Sequence, residues 1–201
     1  MTIVYRVGGG LYVNLTNRCP CACTFCIRKK APGAYGADSL WLSREPRPDE
    51  VLAAIEKEIP GGADEIVFCG YGEPTERLDA LLAVARGVKC AHPQIPIRVN
   101  TNGLCDLIAG RPVAAEFKDL VDSLSISLNA SSSKEYYKLC RPKFGPESYD
   151  AVLRFARDAV QYVPNVVMTI VQTEQCTAEK IEQCREICER IGAKLRVRPL
   201  I

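Results

Sequence analysis

Charge of one sign is close to absent from the balance of this sequence: 26 Lys and Arg stand against 24 Asp and Glu, a formal net charge of +2. Bulk electrostatics therefore give no case for binding nucleic acid or a membrane surface. Long hydrophobic runs are missing too, and none approaches the roughly 18 apolar residues that cross a bilayer. The opening MTIVYRVGGG lacks the basic and apolar regions of an export signal, so a cytoplasmic location is expected. Histidine occurs once, at His92; it precedes Pro93 at a helix end and reads as a solvated cap. No repeat, low-complexity tract or linker divides the 201 residues, and a single domain spanning 1–201 is expected.

Cysteine is abundant, with eleven residues. In a short secreted chain that would signal a disulfide scaffold. In a mid-sized chain without an export signal, thiols that bind metal or react are the better expectation. Four crowd into NRCPCACTFC, at Cys19, Cys21, Cys23 and Cys26. Structural zinc usually takes two separated pairs, and the other close pair, Cys184 and Cys188, lies deep in a helical pattern. Closely spaced loop cysteines suit iron–sulfur chemistry. Cys19, Cys23 and Cys26 supply three thiolates and leave one iron of a [4Fe-4S] cluster without a protein ligand, the open position a catalytic metal needs.

Apolar patterning places strands at 11–16, 64–69, 95–100, 121–129, 165–171 and 193–199. Helical patterns at 49–59, 75–89, 147–163 and 177–191 separate them, and Gly110 and Pro112 interrupt the segment 103–119. Crossovers of this length imply a parallel sheet, and six β/α units make a partial barrel rather than the full eight-stranded one. With Leu124, Ile126 and Leu128 toward the helices, Ser123, Ser125 and Ser127 face the other way. The same parity turns Tyr12, Asn14, Thr16, Arg98, Asn100, Asn102, Thr169, Lys194, Arg196 and Arg198 inward. A flat doubly wound sheet, the alternative, is apolar on both faces. The expected fold is α/β: a partial (β/α)6 TIM-like barrel of parallel strands with an open polar lumen. The cysteine loop follows its first strand, at the face where such barrels build active sites.

CPCACTFC contains CxxxCxxC with Phe25 before the last cysteine. CGYGEPT (69–75) follows the second strand, NTNG (100–103) the third and SISLNAS (125–131) the fourth. Together these resemble the radical S-adenosylmethionine (SAM) superfamily, whose usual fold is a partial (β/α)6 barrel. The resemblance covers essentially the whole chain. The opening TIVYRVGGGLYVNLTNRC, the compact length and the lack of a cysteine-rich C-terminal extension make the chain most similar to the small TatD-associated radical SAM proteins.

The resemblance implies that Cys19, Cys23 and Cys26 hold a [4Fe-4S] cluster whose open iron binds the amino and carboxylate groups of SAM. An electron from the cluster then cleaves SAM to methionine and a 5′-deoxyadenosyl radical, which takes a hydrogen atom from the substrate. Phe25 is expected near the adenine, and Gly70, Gly72 and Glu73 at the methionyl end, with Glu73 accepting from the ammonium. Asn102, Ser127 and Asn129 complete the cofactor set. Tyr71 stands where the family has the first glycine of GGE, and Asn129 replaces its usual acid. Cys21 is a bystander on this reading, since a fourth thiolate would block the SAM site. An external electron donor such as flavodoxin or ferredoxin is implied, and the family's name suggests a genomic link to a TatD-type hydrolase.

Tyr71, Arg98, Thr101, Arg141, Arg196 and Arg198 are candidate substrate ligands. Unpaired buried guanidinium groups are costly, so the inward arginines either pair with an acid such as Glu65 or await a carboxylate or phosphate. Cys184 and Cys188 share an apolar stripe with Ile181, Ile187 and Ile191, so with Cys176 they read as core thiols rather than an auxiliary cluster. The stretch 28–47 holds the only Trp and is long for a loop in a compact domain; it is expected to act as a substrate lid. Three functions fit: a radical SAM enzyme acting on a small anionic or nucleotide-like substrate, an activating enzyme that makes a radical on a partner protein, and a non-catalytic iron–sulfur module. The intact GEP motif favours the enzymes, because a sensor has no need of SAM.

Overall fold

The expected first strand is one half of a hairpin. Gly8 and Gly9 turn the chain between β1 (Val4–Val7) and β2 (Gly10–Val13), which pair antiparallel with Val7 opposite Gly10. Gly8 sits at φ +58°, a conformation that costs glycine little and suits a two-residue hairpin turn. The computed structural model describes residues 1–173 and 176–200. From β2 onward every neighbouring pair is parallel: β3 (Glu65–Phe68), β4 (Ile97–Thr101), β5 (Ser123–Ser127), β6 (Asn165–Gln172) and β7 (Lys194–Pro199) follow in sequence order. The sheet thus has seven strands where six are expected, and the extra one, β1, is an antiparallel edge.

Helices cover one face: α1 (Pro48–Glu58), α2 (Leu78–Ala91), α3 (Cys105–Ala109), α4 (Ser133–Cys140), α5 (Ser148–Ala159) and α6 (Ala178–Ile191). The stripe Leu78, Leu81, Leu82, Ala85 and Val88 forms the buried face of α2 as its spacing predicts. Thr177 caps the start of α6 by accepting from Lys180 N, and Gly192 ends it in the left-handed region. α4 is not among the expected helices, although Ser132 accepting from Glu135 N marks its start.

Strand parity follows the sequence. Leu11, Val13, Ile66, Phe68, Ile97, Val99, Leu124, Ile126 and Met168 are fully buried toward the helices. Each such side chain is worth about 1.5–3 kcal/mol on burial, so a one-residue slip would forfeit the core and is excluded. The opposite face carries Asn14, Thr16, Ser125 and Thr169, buried but polar. The loops that leave β2, β3, β4 and β5 gather at the C-terminal ends of the parallel strands. No described helix is long and apolar enough to cross a membrane.

Candidate functional site

The cysteine loop is held by its own backbone. Ala22 N donates to Cys140 O (3.0 Å), Thr24 N to Leu139 O (2.9 Å) and Lys143 N to Pro20 O (2.8 Å), where the chain leaves α4. Cys21 forms a β-bridge with Pro142 and is buried, whereas Cys19, Cys23 and Cys26 stay partly exposed. Lys29 Nζ closes the loop by donating to Cys23 O (2.8 Å).

The thiols are unequal. Hydrogen bonds from Cys140 and Cys21 hold the Cys23 thiol well below its ordinary range, and a bond from Cys21 lowers Cys19. Cys21 and Cys140 are raised as the donors in these pairs, and burial raises Cys26. Thiolate is the metal-binding form of cysteine, so Cys19 and Cys23 are the thiols best prepared for an iron–sulfur group; Cys26 completes the motif, and the Cys21 thiol lies between the first two as their hydrogen-bond donor. Cys140 is a neighbour that sequence reasoning missed, because it comes from a helix far along the chain.

Behind this loop runs the segment Gly70–Glu73. A Cβ on Gly72 would lie 2.2 Å from Thr16 O and 2.6 Å from Arg18 O, so only glycine lets the two loops touch. A Cβ on Gly70 would meet Asn14 Oδ1 at 2.1 Å. Glu73 is 3% exposed. Its Oε1 accepts from Thr75 N (3.1 Å), Thr75 Oγ1 (2.8 Å) and Thr101 Oγ1 (2.8 Å), and its Oε2 from Asn102 N (2.7 Å). Burial pushes its carboxyl up and these donors oppose the shift. Glu73 thus braces the loops after β3 and β4, and its Oε2 keeps the acceptor capacity that an ammonium would need.

Several expected substrate ligands already have partners within the protein, and Arg98 takes the expected alternative of pairing with Glu65. Thr101 is 3% exposed and spends its hydroxyl on Glu73 while accepting from Gly103 N. Tyr71 is 4% exposed; its hydroxyl donates to Ala31 O (2.7 Å) and its ring packs edge-on to Trp41. Arg98 belongs to the floor of the lumen. It holds Glu65 with two hydrogen bonds (2.6 and 3.0 Å) and also donates to Asn100 Oδ1 (2.9 Å) and Tyr12 Oη (3.1 Å). Arg141 is the left-handed C-cap of α4 and lies exposed on the outer rim.

Arg196 and Arg198 remain. Arg196 Nη2 donates to Ser125 Oγ (2.9 Å), and burial together with Arg98 and Arg198 lowers its pKa. Among the described residues, Arg198 Nε is buried without a hydrogen-bond partner. Two other buried polar atoms near the cysteine loop also lack partners, Asn102 Nδ2 and Asn129 Oδ1. Asn129, at φ +59°, directs its Nδ2 to Cys140 Sγ (3.4 Å). Ser127 stands beside Thr169 in the β5–β6 register, and Phe25 is half-buried against the core.

The stretch 28–47 is stitched to the barrel. Asn14 Nδ2 donates to Leu40 O (2.7 Å), Asn17 bonds Leu42 through both its amide atoms, and Glu45 takes Thr16 and Arg18. Leu40, 2% exposed, packs with Tyr5 and Tyr71 in a satellite core. Cys184 and Cys188 are buried on α6, and His92 caps α2 while pairing with Glu56.

Comparison with known proteins identifies the family. A family model for the radical SAM superfamily matches residues 13–187. The chain is 20% identical to a 7,8-didemethyl-8-hydroxy-5-deazariboflavin synthase of Methanosarcina mazei over 90% of its own length and 55% of that protein's. It is 24% identical to a probable GTP 3′,8-cyclase of Methanosarcina acetivorans over 92% and 52%. It therefore spans about half the length of these curated relatives. Among solved structures, methylornithine synthase superposes with a TM-score of 0.66 at 16% identity, covering 94% of this chain and 52% of that one. A radical SAM methyltransferase from Sphaerobacter thermophilus gives 0.62 at 18% identity, covering 98% and 57%. These neighbours share the TIM-like barrel. With the family model covering most of its length, this chain belongs to the radical SAM superfamily.

Proposed function

We propose that this chain is a radical SAM enzyme that acts on a small anionic, nucleotide-like substrate held in the barrel lumen. Cys19, Cys23 and Cys26 would hold the cluster, and the unpaired amide atoms of Asn102 and Asn129 would meet SAM beside it. Gly70, Gly72, Phe25 and Ser127 would border the same ligand. When bound, these groups supply a one-electron cleavage of SAM that yields a hydrogen-abstracting radical. The chain's own residues position the substrate and exclude water. An external flavodoxin- or ferredoxin-like donor would provide the electron, and the opening TIVYRVGGGLYVNLTNRC supports a likeness to the TatD-associated type. The loop 28–47, with Tyr35 and Trp41 at the mouth, would act as a fixed lid rather than a swinging one.

One observation carries the substrate class. Three guanidinium groups, on Arg98, Arg196 and Arg198, lie close enough to influence one another, and among the described residues the acid beside them, Glu65, is taken by Arg98. Like charges held close together repel, and a carboxylate or phosphate would relieve this through forked hydrogen bonds to the half-buried Arg198 and the exposed Arg196. A curated relative named for GTP supports an anionic, nucleotide-like ligand. The test is calorimetric titration of GTP and of pyrophosphate into the wild type and into an Arg196→Gln/Arg198→Gln double variant, with 5′-deoxyadenosine formation measured in parallel. Binding that is weakened at least tenfold in the double variant supports the reading. Equal binding by both proteins would sink it.

A further inference from the structure

The alternation of β3 continues past its last paired residue. Ile66 and Phe68 face the helices, both fully buried, so Val67 and Cys69 face the lumen. The register Tyr12–Val67–Arg98 sets Cys69 one rung higher, level with Asn14 on one side and Asn100 on the other. Tyr5 Oη donates to Cys69 O (3.2 Å) and also hydrogen-bonds the thiol, as does the Asn100 side chain. The Tyr5 ring lies 5.5 Å from that of Tyr12, whose hydroxyl accepts from Arg98. A thiol in the chamber thus has against it the phenol of Tyr5, which belongs to the edge strand β1, with Tyr12 of β2 beside that ring.

A second feature on the same rung points to a ligand. Asn14 is fully buried, and its Oδ1, pressed against Gly70 next to the thiol, has no hydrogen-bond partner. Burial also pushes the Cys69 thiol and the Tyr5 phenol above their ordinary values, so both keep their hydrogen at neutral pH.

A thiol S–H bond is weaker than most substrate C–H bonds, and a carbon radical formed within its reach is quenched by it. A radical enzyme must keep thiols out of its chamber or use them. Resting on the function proposed above, we propose that Cys69 is the hydrogen-atom donor that ends the radical reaction, with Tyr5 carrying the oxidation outward. The substrate-derived radical takes the hydrogen atom from Sγ: a C–H bond forms, the S–H bond breaks, and a thiyl radical remains. Tyr5 returns a hydrogen atom to sulfur and becomes a phenoxyl radical. One electron from a low-potential iron–sulfur or flavin protein, with one proton from water, restores the hydroxyl.

The test needs no substrate. Cluster-reconstituted protein free of thiol reductants is exchanged into D2O, reduced with dithionite and given SAM, and the 5′-deoxyadenosine is analysed by mass spectrometry. With no substrate present, the S–D bond of Cys69 is the weak bond that faces the lumen, so wild-type product carries deuterium. Cys69→Ser/Tyr5→Phe leaves only a strong O–D bond at that position, and its label falls; Cys21→Ala, altered beside the cluster, and Cys184→Ala, altered in the α6 core, keep the label. Tyr5→Phe confines the label to the first equivalent of product. Cluster-free protein gives a reading independent of turnover: iodoacetamide, mapped by peptide mass, modifies Cys69 before the core thiols Cys184 and Cys188. Unlabelled wild-type product, or a Cys69 alkylated no sooner than Cys184, overturns the proposal. Failure of reconstituted wild type to form any 5′-deoxyadenosine overturns instead the radical reading on which it rests.

Discussion

Replacing Gly72 with alanine adds one methyl group where the structure has no room for it. The new Cβ would lie 2.2 Å from Thr16 O and 2.6 Å from Arg18 O. Ordinary C···O contacts are about 3.3 Å, so the two backbones must part by about 1 Å. Neither side can yield by rotating a side chain, because both atoms are carbonyl oxygens of the segment that leads directly into Cys19. The neighbouring bond from Glu73 N to Arg18 O (2.8 Å) must stretch as well. Overpacking of this kind costs about 1–3 kcal/mol, which for a chain of this size lowers the melting temperature by about 2–12 °C. The same displacement moves Cys19 away from Cys23 and Cys26. Two assays follow: differential scanning calorimetry of the cluster-free protein, and iron and sulfide content after anaerobic reconstitution. Gly87→Ala is the control, since its Cβ meets only the flexible end of Leu52 and the substitution improves helix propensity. Gly72→Ala should melt lower and bind less iron, while Gly87→Ala stays near the wild type. A Gly72→Ala protein with wild-type melting and full iron would refute the steric argument.

Three further outcomes are expected. Cys23→Ala should lose the cluster absorbance and all 5′-deoxyadenosine formation, while Cys21→Ala keeps both; loss in the two variants alike would make Cys21 a ligand. Glu65→Gln should destabilise the fold by roughly 1–2 kcal/mol in urea unfolding, because Arg98 then keeps only Tyr12 and Asn100 as partners; an unchanged midpoint would show that the pair contributes nothing. Burial raises the carboxyl of Glu73, so its contribution to stability is complete below the ordinary carboxylate range and fades as pH rises through its higher folded value. The stability gap between wild type and Glu73→Gln should accordingly narrow as pH rises above the ordinary carboxylate range, and a widening gap would reverse the sign of the shift.

Much of the barrel is legible in the sequence because its two faces differ in chemistry. Leu124, Ile126 and Leu128 alternate with Ser123, Ser125 and Ser127, and a period of two admits a single assignment of sides. β1 escaped because its four residues lie before the glycines, although Gly8–Gly9 between apolar runs is a hairpin signal. The half-polar helix α4 escaped for lack of an apolar stripe, and Cys140, which ends it, was hidden with it. Short motifs marked the loops correctly at Cys19–Cys26, Gly70–Glu73 and Asn102. Motifs do not say which atoms are already spoken for, however. Glu73, Thr101 and Tyr71 read as ligand-facing until their partners Thr75, Glu73 and Ala31 are seen, and for Arg98 only the fold chooses between Glu65 and a ligand.

The sequence alone determined the strand faces, the three cysteines and the polarity of the lumen, since each depends on spacing along a regular backbone or on residue type. Tertiary structure decided which polar groups are satisfied and which are not. Arg98 finds Glu65 thirty-three positions away, Arg198 Nε finds nothing among the described residues, and Cys69 meets Tyr5 across sixty-four. Hydrogen bonds and ion pairs act over a few ångströms, and only folding brings residues so far apart in the chain within that range.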